Sequence, residues 1–508
     1  MPDAVVVGAG HNGLVAAAYL ARAGLSVEVF ERREIVGGAC VTEELWPGVR
    51  ASPGAYTLSL LRGRIIDELA LESHGLEVFP HDPYLFAPLP DGRKVVTWSD
   101  PKRTREQLAA DWSQGDADGY AEFSARWEKA AAAARPLMLE APSRERWLEA
   151  VGEAILDGPI ADEVAVIPSE EVRVPFALQG CIGTLAGPFD PGTAFVGFYH
   201  DLGEAVRGRP GAWGFARGGM GAVTAALRSA AEAAGAVVHT DAPVARILSG
   251  HGDGAGRESG AGRGSGAGRE SGAHRDTGEQ TARGVAFEDG REVEARIVLS
   301  NADPVRTAFL AGVDPPIGWR QPGPVVKVML LLDGLPDFPS WPGEEPWHGA
   351  IDIGFTLDEL QQAADDARAG RPAAKPWIEA ACQTAADATL APERRHVASL
   401  FCQCFPVEVD ADAAADVAIA RFAEICPGLP DRIVDRLVLG PRQLEERFGI
   451  TGGHIFHGEM LGERPGPRRF GEVEGLYLAG SGAHPGGAVT GAPGYNAAAA
   501  VLEDLADG

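Results

Sequence analysis

The chain opens on AVVVGAGHNGLVAAAYLARAG, a short apolar strand that runs through Gly8-Ala9-Gly10-His11-Asn12-Gly13 into an alanine-rich helix. No other stretch constrains the fold as strongly. Gly8 permits the tight turn after the strand, Gly10 lets backbone approach a pyrophosphate, and Gly13 lets helix and strand pack closely. The helix then directs its first N–H groups at the anion. A second strand over residues 26–31 ends on Glu31. A carboxylate there accepts hydrogen bonds from ribose hydroxyls and disfavours a 2′-phosphate. Strand, helix and strand in this order predict a doubly wound α/β unit that binds a dinucleotide.

At 508 residues the chain is long enough for two intertwined domains. Its formal charge of −27 repels nucleic-acid phosphates and anionic lipid. That argues against a nucleic-acid partner but leaves room for peripheral membrane contact through an apolar patch. No apolar run reaches the ~18–20 residues needed to span a bilayer. Met1-Pro2-Asp3 passes straight into the first strand with no leader pattern, so the expected location is cytoplasmic. Six cysteines are too sparse for a disulfide scaffold. Cys402 and Cys404 alternate within an apolar run, which predicts two buried thiols facing the same side.

Residues 104–158 read as helical, with Trp112, Tyr120, Phe123, Trp127 and Trp147 on amphipathic segments. A helix over 223–234 ends at Gly235 and leads into strands and hairpins through AVVHTDAPVARILSG and GVAFEDGREVEARIVLSNAD. Between them, residues 255–278 hold four copies of a six-residue unit (AGRESG, AGRGSG, AGRESG, AHRDTG). The unit has no apolar position to stack, so residues 251–283 read as a disordered, solvated insertion. PGPVVKVMLLL, HGAIDIGF and HVASLFCQCFPVEV then form strands of a mixed sheet, with helices over 357–369 and 411–425. The expected division places residues 1–60, 215–303 and 441–508 in the cofactor domain. Residues 61–214 and 304–440 then form a mixed-sheet-plus-helices substrate domain.

After Glu31 the chain continues with Gly37-Gly38 and Pro47-Gly48, which suit backbone folded back over an extended dinucleotide. GAGHNGL, GGACVTEE, PGAYTLSLLR, GAWGFARGGMGAV, SNADP and GSGAHPGGAVTGAPGYNAA follow one another from residue 5 to 500. Together they resemble the flavin amine oxidase and phytoene desaturase superfamily. The nearest likeness is to the branch of pyridine nucleotide-disulfide oxidoreductase domain-containing protein 2. The resemblance implies a Rossmann-like FAD-binding domain of the glutathione-reductase/amine-oxidase type, interleaved with the substrate domain.

It also implies site residues. FAD would be held by Gly8, Gly10, His11, Asn12, Gly13, Glu31, Arg32, Gly37, Gly38, Ala39, Gly54 and Ala55. Val244 would meet the adenine through its backbone, and Asn301 and Ala302 close the strand beside the cofactor. In the C-terminal turn Gly480, Ser481, Gly482, His484, Val489, Thr490 and Gly491 would pass the pyrophosphate, ribityl chain and flavin. The helix that follows points its N-terminus at the isoalloxazine, where it stabilises the charge of reduced flavin. Many relatives carry an acid where this chain has Ser481.

Lys327, in GPVVKVMLLLD, resembles the strand lysine that holds a water over flavin N5 in amine oxidases. Its apolar neighbours make burial costly unless the amine is solvated or paired. His200, in VGFYHDLGE, is a second catalytic candidate that would line the substrate cavity. His454 and His457 lack carboxylate or cysteine partners at metal-ligand spacing, so no metal site is expected.

The expected activity is an FAD-dependent oxidoreductase moving a hydride between flavin N5 and a C–H bond of a largely apolar small molecule, by desaturation, saturation or isomerisation. No second G-x-G-x-x-G on a strand–helix unit is present, which leaves oxygen, a quinone or NAD(P) in the same pocket as electron acceptor. Two alternatives remain open at this point: an amine oxidase using oxygen, and a non-catalytic binding or escort protein on the same fold.

Overall fold

The computed structural model describes residues 1–251, 280–315, 323–458, 460 and 464–507. The hexapeptide repeat at 255–278 lies outside the described residues.

The first strand, Ala4–Val7, is buried along its whole length because both faces of its sheet are covered. It sits at the centre of a five-stranded parallel sheet. Val27–Phe30 and Val237–His239 lie on one side, Ile297–Ser300 and Leu476–Leu478 on the other. Ala4 and Val6 point into a core shared with the helices His11–Arg22, Gly221–Ala233 and Ala492–Asp507. Val5 and Val7 face a second core, built with the antiparallel hairpin Val244–His251/Gln280–Phe287 and the helix Pro304–Ala311. The result is a helix–sheet–hairpin sandwich.

The first helix starts at His11, inside the glycine motif. Its alanines Ala16–Ala18 give it a narrow flank. The C-terminal helix packs so closely on it that a Cβ on Gly494 would lie 2.0 Å from Asn12 O. Chain start and chain end are therefore laid side by side, with backbone touching backbone.

A seven-stranded mixed sheet forms the other half. Its order is Ile433–Leu439, Val325–Asp333, Arg395–Gln403, Ile378–Ala381, Ala350–Ile353, Leu85–Pro88 and Lys94–Thr97. Val326, Val328, Leu330 and Leu332 pack against the helix Ala411–Ala423. The opposite face, with Val325 and Phe401, turns toward the helices Gln114–Ala134, Glu170–Gln179 and Thr193–His200. Alternation along a strand separates these two faces, so Lys327 shares the second one with Val325.

All six cysteines are buried and free. The same-side expectation for Cys402 and Cys404 fails, since the two lie in different cores. The strand ends at Gln403, and Cys404 adopts a positive φ of 76°, which breaks the alternation. Among the described residues, no helix is long and apolar enough to cross a membrane.

Candidate functional site

The glycine turn is braced from below. Asn301, directly after the strand Ile297–Ser300, accepts the Gly13 N–H through Oδ1 at 3.1 Å. Its amide nitrogen lies 2.6 Å from where a Cβ on Gly10 would stand. A Cβ on Gly13 would lie 2.3 Å from Gly8 O. Gly10 and Gly13 are thus required by contacts inside the protein as well as by approach to a ligand. The helix carries no side-chain cap and no acidic residue in its first turn, so its N-terminus stays open to an anion.

Glu31 is buried beside this turn. Its Oε2 accepts the Ala9 N–H at 2.9 Å and its Oε1 accepts the Arg33 N–H at 3.0 Å. Each oxygen keeps a second lone pair for a ligand hydroxyl. Arg32 sits next to it, its guanidinium donating to Arg447 O at 2.7 Å. Gly37 and Gly38 both have positive φ, and Gly37 N donates to Ala9 O at 2.8 Å. A Cβ on Gly54 would lie 2.3 Å from Ala39 O, which already accepts the Ala55 N–H.

The C-terminal turn closes over the same space. Asn12 Nδ2 donates to Ser481 Oγ at 3.0 Å, across 469 residues of sequence. Ser481 O in turn accepts from the buried Arg464 guanidinium at 2.9 Å, and that guanidinium also holds Phe456 O and Gly458 O. Thr490 Oγ1 accepts the Ala492 N–H at 3.0 Å and starts the last helix.

These parts line one cavity of about 530 Å³, within the usual range for small-molecule sites. At one end stand Glu31, Arg32, Pro243, Val244 and Arg306. Along the middle run Gly8, Gly10, His11, Gly37, Gly38, Ala39, Gly54, Ala55, Asn301, Ala302, Ser481 and Val489. At the other end are Lys327, His200, Tyr56, Glu379, Phe401 and Trp213. Asn12, Gly13, Gly480, Gly482, Thr490 and Gly491 stand behind the wall and support it. A Cβ on Gly480 would lie 2.7 Å from Asn301 O, and one on Gly482 2.3 Å from Pro304 Cδ.

His484 is not brought to the cavity. Its Nε2 lies 3.3 Å from Leu137 O and its carbonyl accepts from Asn496, so it ties the C-terminal turn to residues 135–139. Burial lowers its pKa to about 4.

The inner chamber carries the unusual chemistry. Lys327 is 2% exposed, and its Nζ lies 3.2 Å from the centre of the Tyr56 ring and 5.7 Å from that of Phe401. No hydrogen-bond acceptor reaches it among the described residues. Burial holds the amine well below the ordinary lysine range, and Glu379 works against that shift. His200 ends the helix Thr193–His200 with Nδ1 unpartnered, beside Trp213 and Phe456. Burial lowers its pKa to about 4, so its ring is neutral near pH 7.

Sequence reasoning did not find Tyr56, Glu379 or Trp213. Tyr56 follows Gly54-Ala55 in the glycine-led segment, and Trp213 lies within GAWGFARGG. Glu379 is a lone acid in the apolar run WIEAAC, the signal that did single out Lys327. Among the described residues, no cluster of three or more His, Cys, Asp or Glu side chains could hold a metal ion.

The glycine cradle, the open helix end and the spare acceptors of Glu31 together fit a dinucleotide. Comparison with known proteins agrees. The NAD(P)-binding Rossmann-like domain family matches residues 6–68. Pyridine nucleotide-disulfide oxidoreductase domain-containing protein 2 of Mus musculus is 34% identical over 576 aligned positions, covering 99% of this chain and 94% of its own length. Phytoene desaturase of Cercospora nicotianae is 28% identical over 330 positions, covering 59% of this chain and 45% of its own. In fold, the chain resembles putrescine oxidase, solved as the wild type bound to putrescine. The TM-score is 0.57 at 17% identity, covering 100% of this chain and 99% of that one.

Proposed function

The chain belongs to the family of pyridine nucleotide-disulfide oxidoreductase domain-containing protein 2, within the flavin-type oxidoreductase superfamily, and on that premise we propose that it is an FAD-dependent enzyme acting on a largely apolar small molecule. The observation that carries this reading is the continuity of the cavity. A dinucleotide cradle at one end opens, without a dividing wall of residues, into a chamber lined by Leu60, Ile182, Val325, Phe401 and Phe456 at the other. The proposed division of labour gives residues 1–60, 215–303 and 441–508 to the cofactor, and residues 61–214 and 304–440 to the substrate.

The residues present would hold FAD in a defined way. Glu31 would accept from the adenosine ribose, the His11–Arg22 helix end would face the pyrophosphate, and Val489 with Ser481 would border the flavin. When bound, FAD supplies the hydride acceptor. The chain itself binds and orients the substrate, and its apolar chamber excludes water from the reacting carbon. His200, neutral near pH 7 through burial, and Lys327, whose amine burial holds well below the ordinary lysine range, offer polar groups there in an otherwise apolar wall.

A second reading, oxidation of an amine with oxygen, is supported by the placement of Lys327 against the rings of Tyr56 and Phe401, in a cavity that Trp213 and Phe456 also line. One experiment separates the two. Protein loaded with FAD is mixed anaerobically with a panel of lipophilic alkenes, alcohols and amines, and bleaching of the flavin is recorded. Bleaching by hydrocarbons or alcohols supports the first reading. Bleaching confined to amines, with hydrogen peroxide released once air is admitted, supports the second.

A further inference from the structure

Four side chains stand in one row on the chamber face of the mixed sheet. Lys327 is paired with Phe401, Phe401 with Glu379, and Glu379 with Asp352, in register across four adjacent strands. Three of the four are ionisable, and all are buried: Glu379 is 1% exposed and Asp352 is 2% exposed. Glu379 lines the cavity, whereas Asp352 lies behind it. The Tyr56 hydroxyl donates to Glu379 Oε1, and Gln179 Nε2 approaches Oε2 at 3.5 Å. The Asp352 carboxyl has only the Gln179 amide near it as a hydrogen-bonding neighbour, and neither oxygen makes a well-formed bond among the described residues.

Two carboxyls side by side in a dry wall cannot both ionise. Burial raises both, and the Glu379 charge raises Asp352 further, while hydrogen bonds from Tyr56 and Gln179 and the nearby Lys327 pull Glu379 back down. With two protons distributed over Lys327, Glu379 and Asp352, the cluster is electrically neutral and has one vacant proton site. That site lies at Glu379 when Lys327 and Asp352 hold the protons, the arrangement that Tyr56, Gln179 and the Lys327 amine around Glu379 favour. Any net charge in this wall would go unsolvated, so the neutral arrangement is the resting one. The other groups facing it are Tyr56, Tyr84 from the segment before Leu85–Pro88, Gln179 from its helix, and Cys402 behind the sheet. Burial keeps Tyr56, Tyr84 and Cys402 protonated. The vacancy therefore belongs to the row itself.

We propose that Glu379, backed by Asp352 and held by Tyr56, is the acid–base residue of the chamber and takes a proton from the substrate. The step rests on the FAD-dependent reading above. Two C–H bonds on adjacent carbons break. The electron pair of the first leaves with its hydrogen as hydride to oxidised flavin, and that of the second becomes the new π bond. The second hydrogen passes as a proton to the vacant site at Glu379. The proton would bring one positive charge into the wall at Glu379, and the hydride accepted by a bound flavin would balance it, so the enclosed site would stay neutral as a whole.

The test needs no substrate and no flavin. Infrared spectra of the full chain in heavy water at neutral pH should show the carbonyl stretch of an un-ionised carboxylic acid, lost or shifted in both Glu379→Gln and Asp352→Asn. A spectrum without that band overturns the proposal. 4-Nitrophenol is then added at mildly acidic pH, below its own ionisation, as a visible proton donor. The expected result is bound nitrophenolate with the wild type and Asp352→Asn, and bound neutral phenol with Glu379→Gln. A merely structural Glu379 would leave the phenol's ionisation unchanged in Glu379→Gln, and that result also overturns the proposal. Failure of the FAD reading would show separately, as a protein that carries the infrared band but takes up no flavin.

Discussion

The carboxamide of Asn12 donates to the hydroxyl of Ser481 at 3.0 Å, joining the first glycine turn of the chain to its last. The two turns enclose the centre of one cavity, and this bond fixes their spacing. Ser481→Ala leaves Asn12 Nδ2 without its partner in a buried place where Oδ1 already has none. We expect a loss of about 1–2 kcal/mol in unfolding free energy. FAD affinity should fall about tenfold, as titration of the apoprotein will show.

Gly10 and Gly13 fail differently when replaced by alanine. The new Cβ of Gly10→Ala meets the movable Asn301 carboxamide, whereas that of Gly13→Ala meets the Gly8 carbonyl. Gly10→Ala should therefore fold with a loss of about 1–3 kcal/mol and lose most FAD affinity, because displacing Asn301 also strands the Gly13 N–H. Gly13→Ala should be the more destabilised of the two in thermal unfolding. Equal losses would count against the bracing role of Asn301.

Lys327→Met should stabilise the protein. The substitution keeps the length of the side chain and removes a buried amine that has no hydrogen-bond partner among the described residues. A gain of about 1–3 kcal/mol is expected in chemical denaturation at neutral pH. Flavin reduction by any active donor should slow at the same time. A stabilised but impaired variant is the mark of a residue kept for chemistry rather than for folding.

His200 gives a pH signature of known sign. Its folded pKa of about 4 lies below the unfolded value near 6.5, so the unfolded chain binds more protons between those limits. Its contribution is complete above pH 6.5 and is lost as pH falls toward 4. Between pH 7 and 5 the wild type should lose about 2 kcal/mol more than His200→Gln. Parallel stability curves for the two proteins would contradict this.

Much of the half built around the glycine turns was legible in the sequence, because such turns announce themselves through rigid stereochemical needs. Gly8, Gly10, Gly37, Gly38 and Glu31 all line the cavity where a strand–turn–helix reading puts them. The chamber was less legible. The strand Ile378–Ala381 is only four residues long and half alanine, too short for periodicity and weak in β propensity, so Glu379 had no element to sit on. Tyr56 and Trp213 lie outside regular elements and reach the cavity through tertiary packing alone. His484 reads as part of the flavin turn, yet the chain carries its ring away to Leu137. Adjacency in sequence does not settle direction at a turn.

The most direct test is equilibrium binding of FAD to the purified 508-residue chain, followed by flavin absorbance and fluorescence quenching. A yellow protein holding one FAD per chain is expected. Glu31→Gln should weaken that binding about 10–100-fold, because a neutral amide replaces a charged acceptor of both backbone N–H groups and ribose hydroxyls. A colourless protein that takes up no added FAD, or one whose affinity is unchanged in Glu31→Gln, would contradict FAD binding in this cavity.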